Sequence, residues 1–84
     1  MSISVNEIRK DFPLLENRKV IYLDTAATSQ KPSCVLEAER EFYEKYNANP
    51  LRGLYELGEA ATEKYEEARE TVREFLNAKE AAEI

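Results

Sequence analysis

Apolar side chains recur with a helical period in three parts of the chain. Val5, Ile8 and Phe12 fall on one face of a short first helix. Pro13 should end that helix, because the residue before a proline disfavours the helical conformation. A second helix should begin at Pro32, where the fixed φ of proline is favourable. Its apolar stripe comprises Val35, Leu36, Ala38, Phe42, Tyr43 and Tyr46.

A third helix should run from about Tyr55 or Leu57 to about Asn77. Its apolar positions alternate steps of three and four, which is a heptad-like spacing. They are Leu54, Leu57, Ala61, Tyr65, Ala68, Val72 and Phe75. Pro50 and Gly53 separate this helix from the second one, unless dimerisation forces the two to merge. The sequence leaves that choice open.

The segment from Val20 to Leu23 is β-branched and aromatic, which predicts one short strand. No second strand is predicted to pair with it, so it should pair with something else or stay irregular. Residues 16–19 indicate a polar turn, and residues 79–84 look frayed. The predicted fold class is therefore mainly α, with three helices and one short unpaired strand.

Composition narrows the possible partners. The chain has 84 residues, 35% of them charged, and a net charge of −5, which argues against nucleic acid and anionic membranes as partners. No apolar run approaches the ~18–20 residues that a membrane span needs. Cys34 is the only cysteine, so an internal disulfide is excluded and a reducing, cytoplasmic compartment is expected.

Two polar loops carry the candidate chemistry. The strand-like run ends in Asp24, and a loop of small side chains follows it, with Ala26 and Ala27 near its start. Small side chains let a ligand approach the backbone closely. The second loop, residues 46–53, contains Asn47 and Arg52. On these residues alone, the commoner explanation of the first loop is a tight connection that merely needs small side chains.

Together the two loops, Tyr22-Leu23-Asp24-Thr25-Ala26-Ala27 through Pro32 and Tyr46-Asn47-Ala48-Asn49-Pro50-Leu51-Arg52-Gly53, resemble the N-terminal part of the Suf/Csd-type cysteine desulfurases. These are class V, fold-type I enzymes that depend on pyridoxal phosphate and have an α/β fold. The likeness runs from about Val5 to Ile84. It implies that residues 1–84 are a single N-terminal segment of such an enzyme, without a complete pyridoxal phosphate domain.

The resemblance also implies roles for four residues. Ala26, Ala27, Asn47 and Arg52 would lie on the substrate side of the active site. The family usually has a histidine where this chain has Leu51. A leucine can neither donate a hydrogen bond nor take a proton, so substrate positioning and membership of the strict desulfurase subgroup are in question.

The catalytic groups of the family are missing from this stretch. None of the six lysines lies in the family's Schiff-base setting, and the chain has no histidine. Cys34 does not match the family's nucleophile, and we expect a small helix residue packed partly inside. Asp24 is expected to cap its loop. We therefore assign no catalytic, cofactor-binding or metal-binding residue, and expect no cofactor for this chain alone.

The resemblance implies that the parent enzyme transfers sulfur from L-cysteine, leaving alanine and an enzyme persulfide, for iron–sulfur cluster assembly. The parent would be a homodimer that serves a sulfur-acceptor protein, and the segment alone would be inactive. Two alternatives remain: a helical self-association module, which forms a homodimer or oligomer through exposed helix faces, and a segment of another class V pyridoxal phosphate enzyme.

Overall fold

The computed structural model describes residues 2–51 and 55–84. The helices are α1 (Val5–Arg9), α2 (Pro13–Asn17), α3 (Ser33–Lys45) and α4 (Glu56–Leu76), followed by a 3₁₀ turn at Ala81–Glu83. These two ranges contain no strand, and the prediction of a mainly α chain is confirmed. The chain divides into two compact units, Met1–Glu41 and Phe42–Ile84.

In the first unit, the N-terminal helix is shorter than predicted and a second one follows it. The Ser4 hydroxyl accepts a hydrogen bond from the Glu7 backbone N–H at 3.4 Å and so caps α1. Phe12 has extended backbone angles (φ −113°, ψ 102°), as expected before a proline. Pro13 then begins α2, because its fixed φ suits the first position of a helix. The prediction of a polar turn over residues 16–19 missed this start signal.

The segment Val20–Leu23 forms no strand in the described chain and stays irregular, the second of the two outcomes predicted for it. Residues 20–23 are neither helix nor strand. A strand is defined by backbone hydrogen bonds to a neighbour, and the described residues offer no second strand. The β-forming composition of the segment therefore has nothing to pair with in this chain.

The two long helices start close to their predicted positions and remain separate. α3 begins at Ser33, whose backbone N–H donates to the Asp11 carbonyl at 2.8 Å. α3 ends at Lys45 and α4 begins at Glu56, and the described residues between them are not helical. No helix of the described ranges is both long and apolar enough to cross a bilayer.

Few side chains are buried. Ala61 (1% exposed) is the one buried apolar side chain in the described residues, and Gly58, one turn earlier in α4, is buried as well. The predicted apolar stripes of α3 and α4 are largely in solvent, with Tyr43 at 64% and Phe75 at 86% exposure. Local hydrogen bonds therefore carry much of the order.

Local hydrogen bonds of this kind order the C-terminal end of α4. Asn77 takes the left-handed conformation (φ 56°, ψ 36°), and the Ala78 N–H donates to the Arg73 carbonyl at 3.0 Å. This is the hydrogen bond of a Schellman cap. Arg73 also donates from Nη1 to the Ala78 carbonyl at 2.9 Å. In the turn that follows, Glu80 and Glu83 form a reciprocal capping box. The prediction that residues 79–84 are frayed is therefore wrong.

Arg73 also forms an ion pair with Glu70. Its Nε donates to Glu70 Oε1 at 2.8 Å, and this hydrogen bond lowers the pKa of Glu70 below its ordinary value. A lowered folded-state pKa stabilises the helix above the ordinary pKa, and the contribution is lost as the pH falls through the folded-state pKa.

We expect Arg73→Gln to raise the pKa of Glu70 toward the usual range, because the charged donor is gone. A ¹³C NMR titration of the Glu70 carboxyl carbon measures this. Lys79→Gln is the control, since it removes a cation outside the pair and should leave the titration unchanged. A Glu70 that titrates at the same pH in Arg73→Gln would contradict the assignment.

Candidate functional site

The small-residue loop begins with a tight turn at Asp24. The Asp24 carbonyl accepts hydrogen bonds from the N–H groups of Ala27 (3.0 Å) and Thr28 (3.2 Å). Asp24 thus closes the loop through its backbone. Residues 25–27 form the turn, and both Ala26 and Ala27 are exposed on it. Because their side chains are only methyl groups, the backbone of the turn is sterically accessible to a ligand.

Two side chains hold this loop closed. The Tyr22 hydroxyl lies 3.2 Å from the Asp24 carbonyl oxygen and also donates to the Thr28 carbonyl. Lys31 donates from Nζ to Thr28 Oγ1 at 3.2 Å and to the Ser29 carbonyl at 2.7 Å. Loop conformation here depends on side-chain donors that satisfy backbone carbonyls, since neither helix nor sheet is available to do so.

A cleft of about 360 Å³ lies beside the loop in the first unit. The cleft is lined by apolar side chains together with hydroxyl, amide and guanidinium groups. Its lining residues are Arg9, Phe12, Leu15, Tyr22, Thr25, Ser29 and Gln30. Arg9 reaches across from α1 and donates from Nη2 to the Val20 carbonyl at 3.3 Å. The cleft therefore connects the N-terminal helix to the loop that follows residues 20–23.

The second loop is anchored to α4 by one threonine. The Leu51 N–H donates to Thr62 Oγ1 at 2.7 Å, and the same hydroxyl donates to the Gly58 carbonyl at 2.9 Å. Leu51 has φ 69°, in the left-handed region that costs a leucine about 1–2 kcal/mol. Its side chain is 63% exposed. The position where the family's histidine was expected is thus held by its backbone, and its side chain is mostly in solvent.

The four predicted substrate-side residues are distributed over both units. Ala26 and Ala27 are adjacent on the turn of the first unit, and neither lines the cleft beside it. Asn47 is exposed just after α3, in the second unit. Arg52 lies outside the described residues. The substrate-side role of these four residues stays a prediction.

Sequence reasoning missed the side chains that organise the loops. Tyr22 was assigned to a strand, and Lys31 was considered only as one of the six lysines that do not match the family's Schiff-base lysine. The bond between Thr62 and the second loop could not be predicted, because a threonine inside a helix ordinarily bonds only to the carbonyl four residues earlier. A polar residue on α4 opposite a proline-containing loop is the feature that could have identified it.

The described residues do not by themselves fit a complete pyridoxal phosphate site. A lysine that forms a Schiff base is normally activated by desolvation or a neighbouring cation. All six lysines of this chain are exposed, and Lys31 Nζ is engaged by Thr28 and Ser29. The chain has no histidine that could stack on a pyridine ring. No group of three or more potential metal ligands is present in the described ranges either.

Cys34 is free and exposed, so the expectation that it packs partly inside is wrong. It lies in the first turn of α3, beside a groove that Asp11 and Glu37 also line. Exposure alone gives the thiol no catalytic partner.

The chain matches known proteins over nearly its whole length. The family model described as Aminotransferase class-V matches residues 21–84. A probable cysteine desulfurase of Staphylococcus aureus is 49% identical over 87 aligned positions, which cover 99% of this chain and 21% of the relative. The corresponding protein of Streptomyces coelicolor is 51% identical, over 98% of this chain and 21% of that protein.

A solved structure agrees with the sequence matches. The apo cysteine desulfurase from Thermococcus onnurineus NA1 superimposes with a TM-score of 0.80 at 46% identity. The match covers 94% of this chain and 19% of that protein. The chain thus spans about one fifth of the length of the relatives it matches.

We expect Thr62→Val to lower the free energy of unfolding by about 1 kcal/mol, because the Leu51 N–H loses its acceptor. Chemical denaturation and faster amide exchange at Leu51 measure the effect. Thr71→Val is the matched control, since Thr71 also donates to a carbonyl four residues earlier, that of Glu67, at 3.0 Å, and no loop N–H of the described residues bonds to it. Equal losses in the two variants would show that the loop contact contributes nothing.

Proposed function

Because this chain belongs to the class V aminotransferase family, we propose that it is the N-terminal segment of a cysteine desulfurase. The complete protein would depend on pyridoxal phosphate and transfer sulfur from L-cysteine, leaving alanine and an enzyme persulfide. The sulfur would go to iron–sulfur cluster assembly through a sulfur-acceptor protein, in the reducing cytoplasm. The observation that carries this proposal is the near 50% identity to cysteine desulfurases along the whole chain.

In this proposal the segment supplies one side of the substrate pocket. Ala26 and Ala27 stand on a turn that Tyr22 and Lys31 hold in one conformation. A fixed turn with methyl side chains leaves room for a small amino acid substrate and costs no reorganisation when the substrate binds. Asn47 and Arg52 would add polar contacts from the second loop, with Arg52 suited to pair with a carboxylate.

The same proposal assigns the chemistry to residues outside this segment. A Schiff-base lysine and a thiol that accepts sulfur would both come from the rest of the protein. The segment alone should therefore neither bind the cofactor saturably nor release sulfide from cysteine. Leu51 anchors its loop through its backbone N–H on Thr62, although its side chain cannot supply the hydrogen bond or proton of the family's usual histidine.

The hypothesis that the complete protein is a different class V enzyme has less support. The relatives that match this chain at 49–51% identity are described as probable cysteine desulfurases. The solved neighbour at 46% identity is a cysteine desulfurase as well. An epimerase or another lyase of the family is therefore the less well supported alternative.

The substrate-side role can be tested in a chimera in which this chain replaces the matched segment of the Thermococcus onnurineus enzyme. We expect the chimera to release sulfide from cysteine when loaded with cofactor. Ala27→Leu should lower kcat/KM about 10- to 100-fold, because a larger side chain displaces the substrate. Ala82→Leu, the same change outside the two loops, is the control. Equal activity of Ala27→Leu and the parent chimera would reject the assigned role.

A second candidate function is self-association of the isolated chain. Tyr65 (49% exposed) and Val72 (42%) lie two turns apart on the same face of α4. Such a face can be covered by a second copy. We expect light scattering to give a mass that rises with concentration, and Val72→Glu to reduce the association. A monomer at all concentrations would remove this candidate.

A further inference from the structure

The described part of the second loop, residues 46–51, is attached to α4 at both of its ends. At the first end, the ammonium group of Lys64 lies 4.8 Å from the centroid of the Tyr46 ring, which is a cation–π contact. At the other end, the Leu51 N–H donates to Thr62 Oγ1 at 2.7 Å. Thr62 and Lys64 both belong to α4 and fall within one helical turn of each other. One turn of α4 therefore holds the loop from both sides.

The attachment at Thr62 lies where α4 is most buried. Gly58 and Ala61 are the buried residues of α4, and both fall within four positions of Thr62. The Thr62 hydroxyl donates to the Gly58 carbonyl at 2.9 Å while it accepts from the loop. Because its donor and acceptor roles are both in use, the orientation of the hydroxyl is set by the helix on one side and by the loop on the other.

The backbone of Leu51 depends on this attachment. Its φ of 69° lies in the left-handed region, which a leucine disfavours because of its Cβ atom. A leucine keeps such a conformation only when a contact stabilises it, and the hydrogen bond to Thr62 is that contact. The φ of Leu51 in turn sets the direction in which the chain leaves this residue. Thr62 therefore controls how the loop continues.

The predicted substrate-side residues of the second loop directly follow its two attached residues. Asn47 comes after Tyr46, and Arg52, which lies outside the described residues, comes after Leu51 in the sequence. The Asn47 side chain is exposed and so accessible to a ligand. A loop that is already held contributes polar contacts without the cost of being ordered when the substrate binds. The attachments thus precede both polar side chains by one residue.

We propose that Thr62 and Lys64 are positioning residues of the desulfurase reaction, which hold the second loop so that Asn47 and Arg52 contact the substrate. Neither of the two touches the substrate itself, and both act through the loop backbone. The inference rests on the proposed function for the identity of the reaction. It adds the residues of α4 that make the second loop competent to bind.

Steady-state kinetics of the cofactor-loaded Thermococcus onnurineus chimera test the role of Thr62. Thr62→Val should raise KM for cysteine about 3- to 10-fold and change kcat less than about twofold, because a loosened loop weakens contacts that substrate and transition state share. Thr62→Ser keeps the hydroxyl and should retain the KM of the parent chimera. Thr71→Val removes a hydroxyl bond from the same helix, the one to the Glu67 carbonyl, and is the control. An unchanged KM in Thr62→Val, or a lower kcat at unchanged KM, would overturn the proposal.

Lys64 gives a weaker and separate test. Lys64→Gln should raise KM about 2- to 4-fold, because an exposed cation–π contact stabilises less than a hydrogen bond to a backbone N–H. Lys64 also lies 3.7 Å from Glu67 Oε2, so Glu67→Gln is the control that removes this ion pair and leaves the Tyr46 contact in place. Equal KM values in Lys64→Gln and Glu67→Gln would reject the role of Lys64.

A double-mutant comparison shows whether Thr62 acts through the loop. In a chimera that carries Asn47→Ala and Arg52→Ala, adding Thr62→Val should raise KM less than about twofold, because the contacts that it positions are already gone. The full 3- to 10-fold rise in that background would overturn the proposal, since Thr62 would then act by another route.

Amide exchange at Leu51 provides a measurement that does not depend on activity. The Leu51 N–H should exchange faster in the Thr62→Val chimera and at the parent rate in Thr62→Ser. A higher KM without faster exchange at Leu51 would contradict an action through the loop. A parent chimera that releases no sulfide would reject the proposed function and this inference with it. An active parent chimera whose KM is insensitive to Thr62→Val would reject the positioning role alone.

Discussion

Burial is the constraint on which the rest of this structure depends. A helical chain ordinarily gains most of its stability from apolar faces that pack against one another. Here one apolar side chain, Ala61, is buried in the described residues, while large residues such as Phe75 remain in solvent. Order is maintained instead by local interactions: the Ser4 cap, the Schellman cap around Asn77 and the ion pairs of α4. Each of these interactions contributes little to the free energy of folding. The described residues are therefore ordered by local motifs and not by a buried core.

The two loops show how side chains can order a segment that lacks a core. Tyr22 and Thr62 act at different places by the same means, a hydroxyl that bonds to loop backbone. Both residues hold a loop against its own helix or turn, and neither contact extends beyond its unit. Loops can therefore be held in one conformation in a segment that buries few side chains.

Sequence reasoning succeeded where a local signal decides the outcome. The start of α3 follows from Pro32 and Ser33, and the long α4 follows from its heptad-like spacing. It failed where tertiary context decides: Val20–Leu23 has strand composition but no strand beside it. Pro13 was interpreted as a helix stop, although proline also starts helices. The hydrogen bonds from Tyr22 to the loop carbonyls could not be predicted, because residue type alone does not reveal which carbonyl accepts from a hydroxyl.

The exposed side chains of Ile21 and Leu23 also bear on how this polypeptide behaves at high concentration. An exposed apolar segment of strand-forming composition can pair with copies of itself and nucleate cross-β aggregates. Lys19 and Asp24 flank it on either side, and charges in such positions act as gatekeepers that oppose stacking. Because one gatekeeper is basic and the other acidic, antiparallel stacking would bring opposite charges together, so these flanks oppose parallel stacks more strongly than antiparallel ones.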